Sequence, residues 1–176
     1  PAFPTDAKGL LLAAIADPNP VMFFEHKLLY RSVSEEVPEG YFETPIGKAR
    51  LLCSGSDVTI LTYGMGVHWA LELLHAHPEI SATLVDLRTL APLDLETIFA
   101  AVQATGRVCI LHEDTLTGGI GGELAALIAQ HCFESLDAPI VRVASLDTPI
   151  PFAPPLERRF LAKNGLKEAL FRLLDY

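Results

Sequence analysis

A histidine followed by two acids, His112-Glu113-Asp114, comes directly after an apolar run that is typical of a buried strand. Ligands of parallel sheets bind beyond the carboxyl ends of the strands, and a histidine beside a carboxylate can exchange protons with a substrate. The same side chains could instead end the strand, satisfy loop amides or face a partner subunit. The chain has neither a His-Glu-x-x-His nor a Gly-x-Ser-x-Gly motif that would supply the rest of a catalytic site, so we assign no catalytic residue.

A glycine-rich loop, Gly118-Gly119-Ile120-Gly121-Gly122-Glu123, opens the next predicted helix. Such a loop can hold a phosphate, because free backbone N–H groups at a helix start point at the anion. The spacing departs from a dinucleotide fingerprint, however, and Glu123 would lie near the phosphate. The glycines more simply allow the helix to pack closely on the sheet or on another subunit, so we assign no cofactor-binding residue.

Two oxygen-bearing side chains, Asp17 and Asn19, follow an apolar helix pattern that Pro18 ends. The end of a helix exposes unpaired carbonyls and carries a partial negative charge. Together these oxygens could surround a hard or alkali cation. The alternative is an ordinary helix end without a ligand.

A further acidic group consists of Asp137, the nearby Glu134 and the carboxylate of Tyr176. Exposed acids usually form only a solvated face, but a basic protein partner would give them a role.

These residues require an alternating α/β framework to position them. Apolar strands are predicted over 49–53, 58–62, 82–87, 108–112 and 139–144, separated by helices that begin near residue 66, at Asp94 and at Glu123. An amphipathic helix is predicted over 166–174, after an irregular, proline-rich stretch over 147–155. This order predicts an α/β fold, a three-layer αβα sandwich with a mostly parallel five-stranded sheet.

The first 47 residues do not belong to that pattern. A helix over 8–16, with Thr5 or Asp6 as its N-cap, and a buried strand over 21–24 cannot enclose a core alone. We predict that residues 1–30 are the tail of another domain, that 31–47 are a linker, and that 48–176 are the α/β domain. The chain lacks an initiating methionine, and we expect it to begin within a longer protein.

The composition limits the partners. The formal net charge of −9 argues against nucleic acid and against anionic membranes, because both would repel the chain. No apolar run is long enough to span a bilayer. The first residues lack the charged and apolar pattern of a signal peptide, so we expect none. Three cysteines far apart in sequence indicate free thiols in a reducing compartment. We expect the bacterial cytoplasm, or the mitochondrial matrix in a eukaryote.

Several stretches together resemble the beta subunit of the thiamine-diphosphate-dependent decarboxylating component of 2-oxo acid dehydrogenase complexes, of the pyruvate and branched-chain type. The resemblance covers essentially the whole chain and rests on the order and spacing of Asp6-Ala7-Lys8-Gly9-Leu10-Leu11, Asp17-Pro18-Asn19-Pro20, Phe23-Phe24-Glu25-His26-Lys27, Pro45-Ile46-Gly47-Lys48-Ala49, Gly55-Ser56-Asp57-Val58-Thr59-Ile60, Asp86-Leu87-Arg88-Thr89-Leu90, Pro92-Leu93-Asp94, Leu136-Asp137-Ala138-Pro139 and Asp147-Thr148-Pro149.

The resemblance implies that 1–30 end the pyrimidine-binding domain and that the rest is a transketolase-type C-terminal domain. It implies a structural potassium ion held by the carbonyls of Ala14 and Ile15 with Asp17 and Asn19. The groups that bind thiamine diphosphate and magnesium would lie upstream or in the alpha subunit, so the chain alone would be inactive.

The implied partners are an alpha subunit or alpha half, a second beta subunit, and the peripheral-subunit-binding domain of the dihydrolipoyl acyltransferase. Asp137 and Tyr176 would contact the last of these. Two alternatives remain open: another transketolase-like thiamine enzyme, of the deoxyxylulose-phosphate synthase type, and a stand-alone nucleotide-binding module that uses the glycine loop.

Overall fold

A computed structural model describes all residues 1–176. The five strands are β1 (Arg50–Cys53), β2 (Val58–Thr62), β3 (Ala82–Asp86), β4 (Val108–Thr115) and β5 (Val141–Ser145). The seven α-helices are α1 (Pro4–Ala16), α2 (Leu29–Ser32), α3 (Met65–Ala76), α4 (Leu95–Thr105), α5 (Ile120–Cys132), α6 (Pro154–Phe160) and α7 (Lys163–Leu174), with a short 3₁₀ helix at Phe133–Ser135. None of the helices is both long and apolar enough to cross a membrane.

The strands form one sheet in the order β1-β3-β2-β4-β5. Strands β2, β3, β4 and β5 run parallel, and β1 pairs antiparallel with β3 at one edge. Every residue of β2 and β3 is buried, which explains why these strands are mostly apolar and show no alternation between buried and exposed positions. The predicted five-stranded, mostly parallel sheet is confirmed.

Helices cover both faces of this sheet. On one face α3 and α7 pack on the strands around Trp69, Leu166 and Leu170, and on the other α4 and α5 pack around Ile98 and Ile128. The structure therefore has the three layers that the sequence predicts, with β5 at the edge opposite to β1.

The boundaries of α4 follow from local chemistry. The carboxylate of Asp94 accepts hydrogen bonds from the backbone N and Oγ1 of Thr97, at 3.3 and 2.8 Å. Gly106 ends the helix with φ of 67°, a conformation that glycine adopts without steric cost. Both boundaries confirm the prediction.

Three sequence-based expectations are wrong. Residues 21–24 form no strand, and Met22 and Phe24 are exposed, because no other strand lies beside them to complete a ladder. Helix α1 begins at Pro4 with Phe3 as its N-cap, so neither Thr5 nor Asp6 caps it. Helix α6 was not expected. It begins with prolines, which fit there because the first turn of a helix does not use the N–H groups that prolines lack.

The segment over 1–47 packs on the α/β domain. The backbone N of Thr5 donates to Glu35 Oε2 at 2.9 Å, and Lys8 Nζ donates to the Pro38 carbonyl at 2.6 Å. The Ala2 carbonyl contacts His68 Nε2 of α3 at 2.8 Å. These contacts hold α1 against the following residues and bring it to the carboxyl edge of the sheet.

Candidate functional sites at the two edges of the sheet

Most of the polar groups that could do chemistry lie at the carboxyl edge of the sheet, by which we mean the side where its parallel strands end. Parallel strands end together, so Thr62 of β2, Asp86 of β3 and the 112–114 motif of β4 share this edge. The N-terminal segment supplies Asp6 and His26 to the same region, through ion pairs with the domain.

His112 is inside the protein rather than open to a substrate. Its side chain is fully buried, and neither ring nitrogen has a hydrogen-bond partner. Burial lowers the pKa of His112 below its ordinary value, with Asp114 acting in the opposite direction, so the neutral ring is favoured. The structure gives His112 a packing role beneath α5.

The two acids beside it point elsewhere. Glu113 pairs with His26 Nε2 at 2.9 Å, which ties the N-terminal segment to β4. Asp114 is exposed and accepts a hydrogen bond from the backbone N of Thr115 at 2.7 Å. The three residues of the motif therefore do not converge on one reacting atom.

The glycine loop is shaped around the same histidine. A Cβ added at Gly119 would lie 2.5 Å from His112 Cε1, and one added at Gly121 would lie 2.5 Å from His112 Nε2. Glu123 occupies the first turn of α5. Close packing therefore explains these glycines, and the acid in the first turn opposes a bound phosphate.

A buried ionic cluster that sequence reasoning missed joins α1 to the sheet. Asp6, which is 2% exposed, pairs with Arg88 Nη2 at 2.6 Å and with Arg50 Nη1 at 3.3 Å. Arg88 follows β3 with φ of 57°, and its backbone N donates to Asp86 Oδ1 at 3.0 Å. No local sequence pattern predicts this cluster, because Asp6 and Arg88 are 82 positions apart.

Asp86 is the second acid of the cluster. It is fully buried and its Oδ2 has no hydrogen-bond partner. Burial raises the pKa of Asp86, while the hydrogen bond from the Arg88 N–H lowers it in part. A buried carboxyl group with a free oxygen at the carboxyl edge has the character of a functional residue.

The four candidate cation ligands lie together at the end of α1. Asn19 donates from its backbone N and from Nδ2 to Asp17 Oδ1, at 2.8 and 3.0 Å. Pro18 has no N–H to donate to the Ala14 carbonyl, and the Asn19 N–H is already used, so the Ala14 and Ile15 carbonyls lack their usual helical donors. Ile15 itself is 72% exposed.

The candidate docking residues lie at the opposite, amino edge of the sheet. Asp137 precedes β5, is exposed, and donates its backbone N to the Gly106 carbonyl at 2.8 Å. Tyr176 is exposed just beyond α7, whose Phe171 stacks edge-on with His77 at the amino side of β3. Asp137 and Tyr176 thus share one edge.

Large apolar side chains are exposed near the carboxyl edge, which sequence reasoning also missed. Between β5 and α6, Phe152 is 99% exposed and Leu146 and Ile150 are also exposed, as is Leu156 in the first turn of α6. We call these four residues the apolar rim. Their exposure in a chain of this size is typical of a protein-binding surface.

Comparison with known proteins identifies the fold. The family described as "Transketolase, C-terminal domain" matches residues 47–164. The 2-oxoisovalerate dehydrogenase subunit beta of Bacillus subtilis (strain 168) is 48% identical over 99% of this chain and 54% of that protein. The pyruvate dehydrogenase E1 component subunit beta of the same organism is 45% identical over 87% of this chain and 48% of that protein.

Among solved structures, a split-gene transketolase described as an inactive beta4 tetramer has a TM-score of 0.65 and 27% identity, over 79% of this chain and 47% of that chain. The chain thus spans about half the length of the relatives it matches. With its five-stranded, three-layer architecture and this matched sequence, the chain belongs to the transketolase C-terminal domain family.

Proposed function

We propose that this chain is the C-terminal part of the beta subunit of a 2-oxo acid dehydrogenase, and that its role there is assembly. The complete enzyme would decarboxylate pyruvate or a branched-chain 2-oxo acid and transfer the acyl group to a lipoyl arm. In this assignment residues 1–30 end the pyrimidine-binding domain, 31–47 form the linker, and 48–176 form the assembly domain. The identities to two beta subunits support it.

The chain's own residues do not fit thiamine diphosphate or its magnesium. No group of three His, Cys, Asp or Glu side chains is placed to hold a metal ion. The His112 ring fills the space beside Gly119 and Gly121 of the glycine loop, and Glu123 lies in the first turn of α5. We therefore assign both cofactors to the upstream part of the subunit and to the alpha subunit. The same features of the glycine loop argue against the alternative of a stand-alone nucleotide-binding module.

The observation that carries the assembly role is the apolar rim. About 25 cal/mol is gained for each Å² of apolar surface removed from water, so a side chain as exposed as Phe152 favours a partner that covers it. We assign the rim to the alpha subunit. The identities to two 2-oxo acid dehydrogenase beta subunits favour this reading over the alternative of a deoxyxylulose-phosphate synthase type of enzyme.

Replacing Phe152 with serine is expected to reduce co-purification of the alpha subunit by about tenfold or more, since an apolar anchor at an interface carries much of the binding energy. The matched control is Phe133→Ser, which removes a phenylalanine that is 74% exposed at the amino edge. Both variants are compared in the complete subunit, co-expressed with a tagged alpha subunit. Equal recovery of the alpha subunit with Phe152→Ser and wild type would exclude the rim as this interface.

The potassium site implied by the resemblance is proposed for the end of α1. The free carbonyls of Ala14 and Ile15, with Asp17 and Asn19, form an oxygen-rich donor set of the kind that alkali cations use. Potassium chloride should raise the melting temperature of the complete subunit more than choline chloride does. An Asp17→Ala subunit with the same potassium response would rule out Asp17 as a ligand.

The docking surface for the basic acyltransferase domain is proposed at the amino edge. Asp137 and the Tyr176 carboxylate are exposed there, in a chain with a net charge of −9. Binding of the isolated basic domain, measured by titration calorimetry, should weaken with added salt and with Asp137→Lys, because exposed charges mainly steer association. Affinity that responds to neither change would place the docking surface elsewhere.

A further inference from the structure

Two buried oxygens without hydrogen-bond partners belong to neighbouring strands at the carboxyl edge of the sheet. Thr62 ends β2 and Asp86 ends β3, and the two residues are paired in the parallel register of these strands. Both residues are fully buried, and neither Thr62 Oγ1 nor Asp86 Oδ2 has a partner. Buried polar atoms nearly always have one, so this pair of oxygens requires a physical explanation.

The two side chains lie on the same face of the sheet. Ile60 and Leu84, two residues earlier in each strand, belong to the core under α3 and α7, and side chains alternate between faces along a strand. A Cβ added at Gly66 would overlap Thr62 Oγ1, so the first turn of α3 covers this hydroxyl closely. Because paired strands are only about 4.8 Å apart, a small side-chain rotation brings two such oxygens into hydrogen-bond range.

The charged and titratable groups around Asp86 come from several elements. They are Asp6 of α1, Arg50 of β1, Arg88 after β3, the amino group of Pro1 and, in the first turn of α3, His68. Asp6 and Arg88 already pair at 2.6 Å, whereas the side chain of Arg50 is 39% exposed, so water screens its charge. An ionised Asp86 would therefore be a second buried carboxylate beside an ion pair that is already balanced.

We propose that the folded protein holds a proton on Asp86 Oδ2, with Thr62 Oγ1 as its hydrogen-bond acceptor, and that losing this proton loosens the contact between α1 and the sheet. The neutral acid supplies the donor that Thr62 lacks and adds no buried charge. The ionised acid would repel Asp6 and attract the guanidinium of Arg88, which is the group that holds Asp6. Asp86 thus acts as a pH-sensitive switch on the docking of α1, and this role does not depend on the assembly role proposed above.

The surroundings of Asp86 support this assignment. Burial has the largest influence and raises its pKa; the Arg88 N–H and the Pro1 ammonium lower it, Asp6 raises it, and the net direction is upward. In a longer subunit Pro1 would be part of a peptide bond, which removes one of the lowering influences. Because the folded-state pKa is raised, the stabilising effect of the proton is complete below the pKa of the unfolded chain and is lost as pH rises through the folded-state pKa.

The test compares the complete beta subunit with its Asp86→Asn variant, because an amide imitates the neutral acid at every pH. Infrared difference spectra at about pH 5.5, where exposed carboxyl groups are ionised, should show a C=O band of a protonated carboxyl in wild type that the variant lacks. Thr62→Val should keep this band and shift it to higher frequency, since the acid loses its hydrogen-bond acceptor.

The stability of the same two proteins reports what the proton does. From about pH 5 upward, the unfolding constant of wild type should rise relative to that of Asp86→Asn by up to about tenfold per pH unit, and should level off once Asp86 has ionised in the folded state. The melting temperature of wild type should fall relative to the variant over the same range. At alkaline pH, protease should cleave the residues before β1 faster in wild type than in the variant.

Asp94→Asn is the matched control, because it neutralises another buried acid of the same domain. Burial alone would raise the pKa of Asp94, but hydrogen bonds from Thr97 and Ala49 outweigh it and lower the pKa. The stability that Asp94 contributes is therefore present above the pKa of the unfolded chain and is lost as pH falls through the folded-state pKa. Asp94→Asn should melt below wild type at neutral pH, and the difference should shrink toward acid pH, which is the opposite trend.

Three results would each overturn the proposal: no protonated-carboxyl band that depends on Asp86, a difference in melting temperature between wild type and Asp86→Asn that does not change with pH, or equal cleavage of the two proteins at alkaline pH. An Asp86→Asn subunit that fails to fold would also contradict it, since a neutral amide should replace a neutral acid.

Discussion

Replacing Gly121 with alanine is expected to lower the free energy of unfolding by about 3 kcal/mol, the upper range for an overpacked core. The added Cβ would lie 2.5 Å from Nε2 and 2.8 Å from Cδ2 of His112. That ring is fully buried and a second glycine, Gly119, contacts its other side, so the ring has no free space in which to move. The loss is measured by urea denaturation of the complete subunit.

Gly122→Ala is the matched control, one residue further along the same helix. The nearest atom to its added Cβ is Arg142 Nη1 at 3.6 Å, an ordinary contact, and alanine favours a helix over glycine by up to about 1 kcal/mol. We expect this variant to be as stable as wild type or slightly more so. Equal stabilities for the two alanine variants would show that close contact with His112 is not the reason that position 121 requires glycine.

Removing the buried carboxylate of Asp6 is the second change with a large expected effect. Asp6→Ala leaves Arg88 without the partner that it contacts at 2.6 Å, and Arg50 without one at 3.3 Å. Removing one member of a buried ion pair typically costs about 3 kcal/mol or more, because the remaining charge stays desolvated. The cost should also appear as easier proteolysis of the residues before β1, since Asp6 holds α1 against the sheet.

The comparison variant is Glu96→Ala. Glu96 also belongs to an ion pair, with Lys48 at 3.4 Å, but its side chain is 87% exposed. Surface pairs of this kind contribute little, because water and salt screen them, so this variant should unfold almost as wild type does. A loss of similar size in both variants would mean that burial is not what makes the Asp6 contacts strong.

The candidate sites divide according to the range of the interactions that form them. The glycine loop and the Asp17-Pro18-Asn19 helix end are local in sequence, and their positions could be predicted from spacing. The carbonyls of Ala14 and Ile15 as cation ligands were implied only by the family resemblance, and the cation site stays a proposal. The ionic cluster of Asp6 with Arg50 and Arg88 could not, because it requires contacts across 44 and 82 positions. The apolar rim was missed for a different reason: its residues read as an irregular, proline-rich stretch, and exposure is a property of the folded surface.

By itself the sequence determined the layered α/β fold, four of its parallel strands and both ends of α4, since apolar runs and capping residues act over a few positions. It could not separate an apolar run that enters the core from one that remains outside. Residues 21–24 were therefore predicted as a buried strand, although Met22 and Phe24 are exposed. The tertiary structure also decided that His112 is enclosed by glycines and that β1 runs antiparallel, because both depend on which distant segments meet.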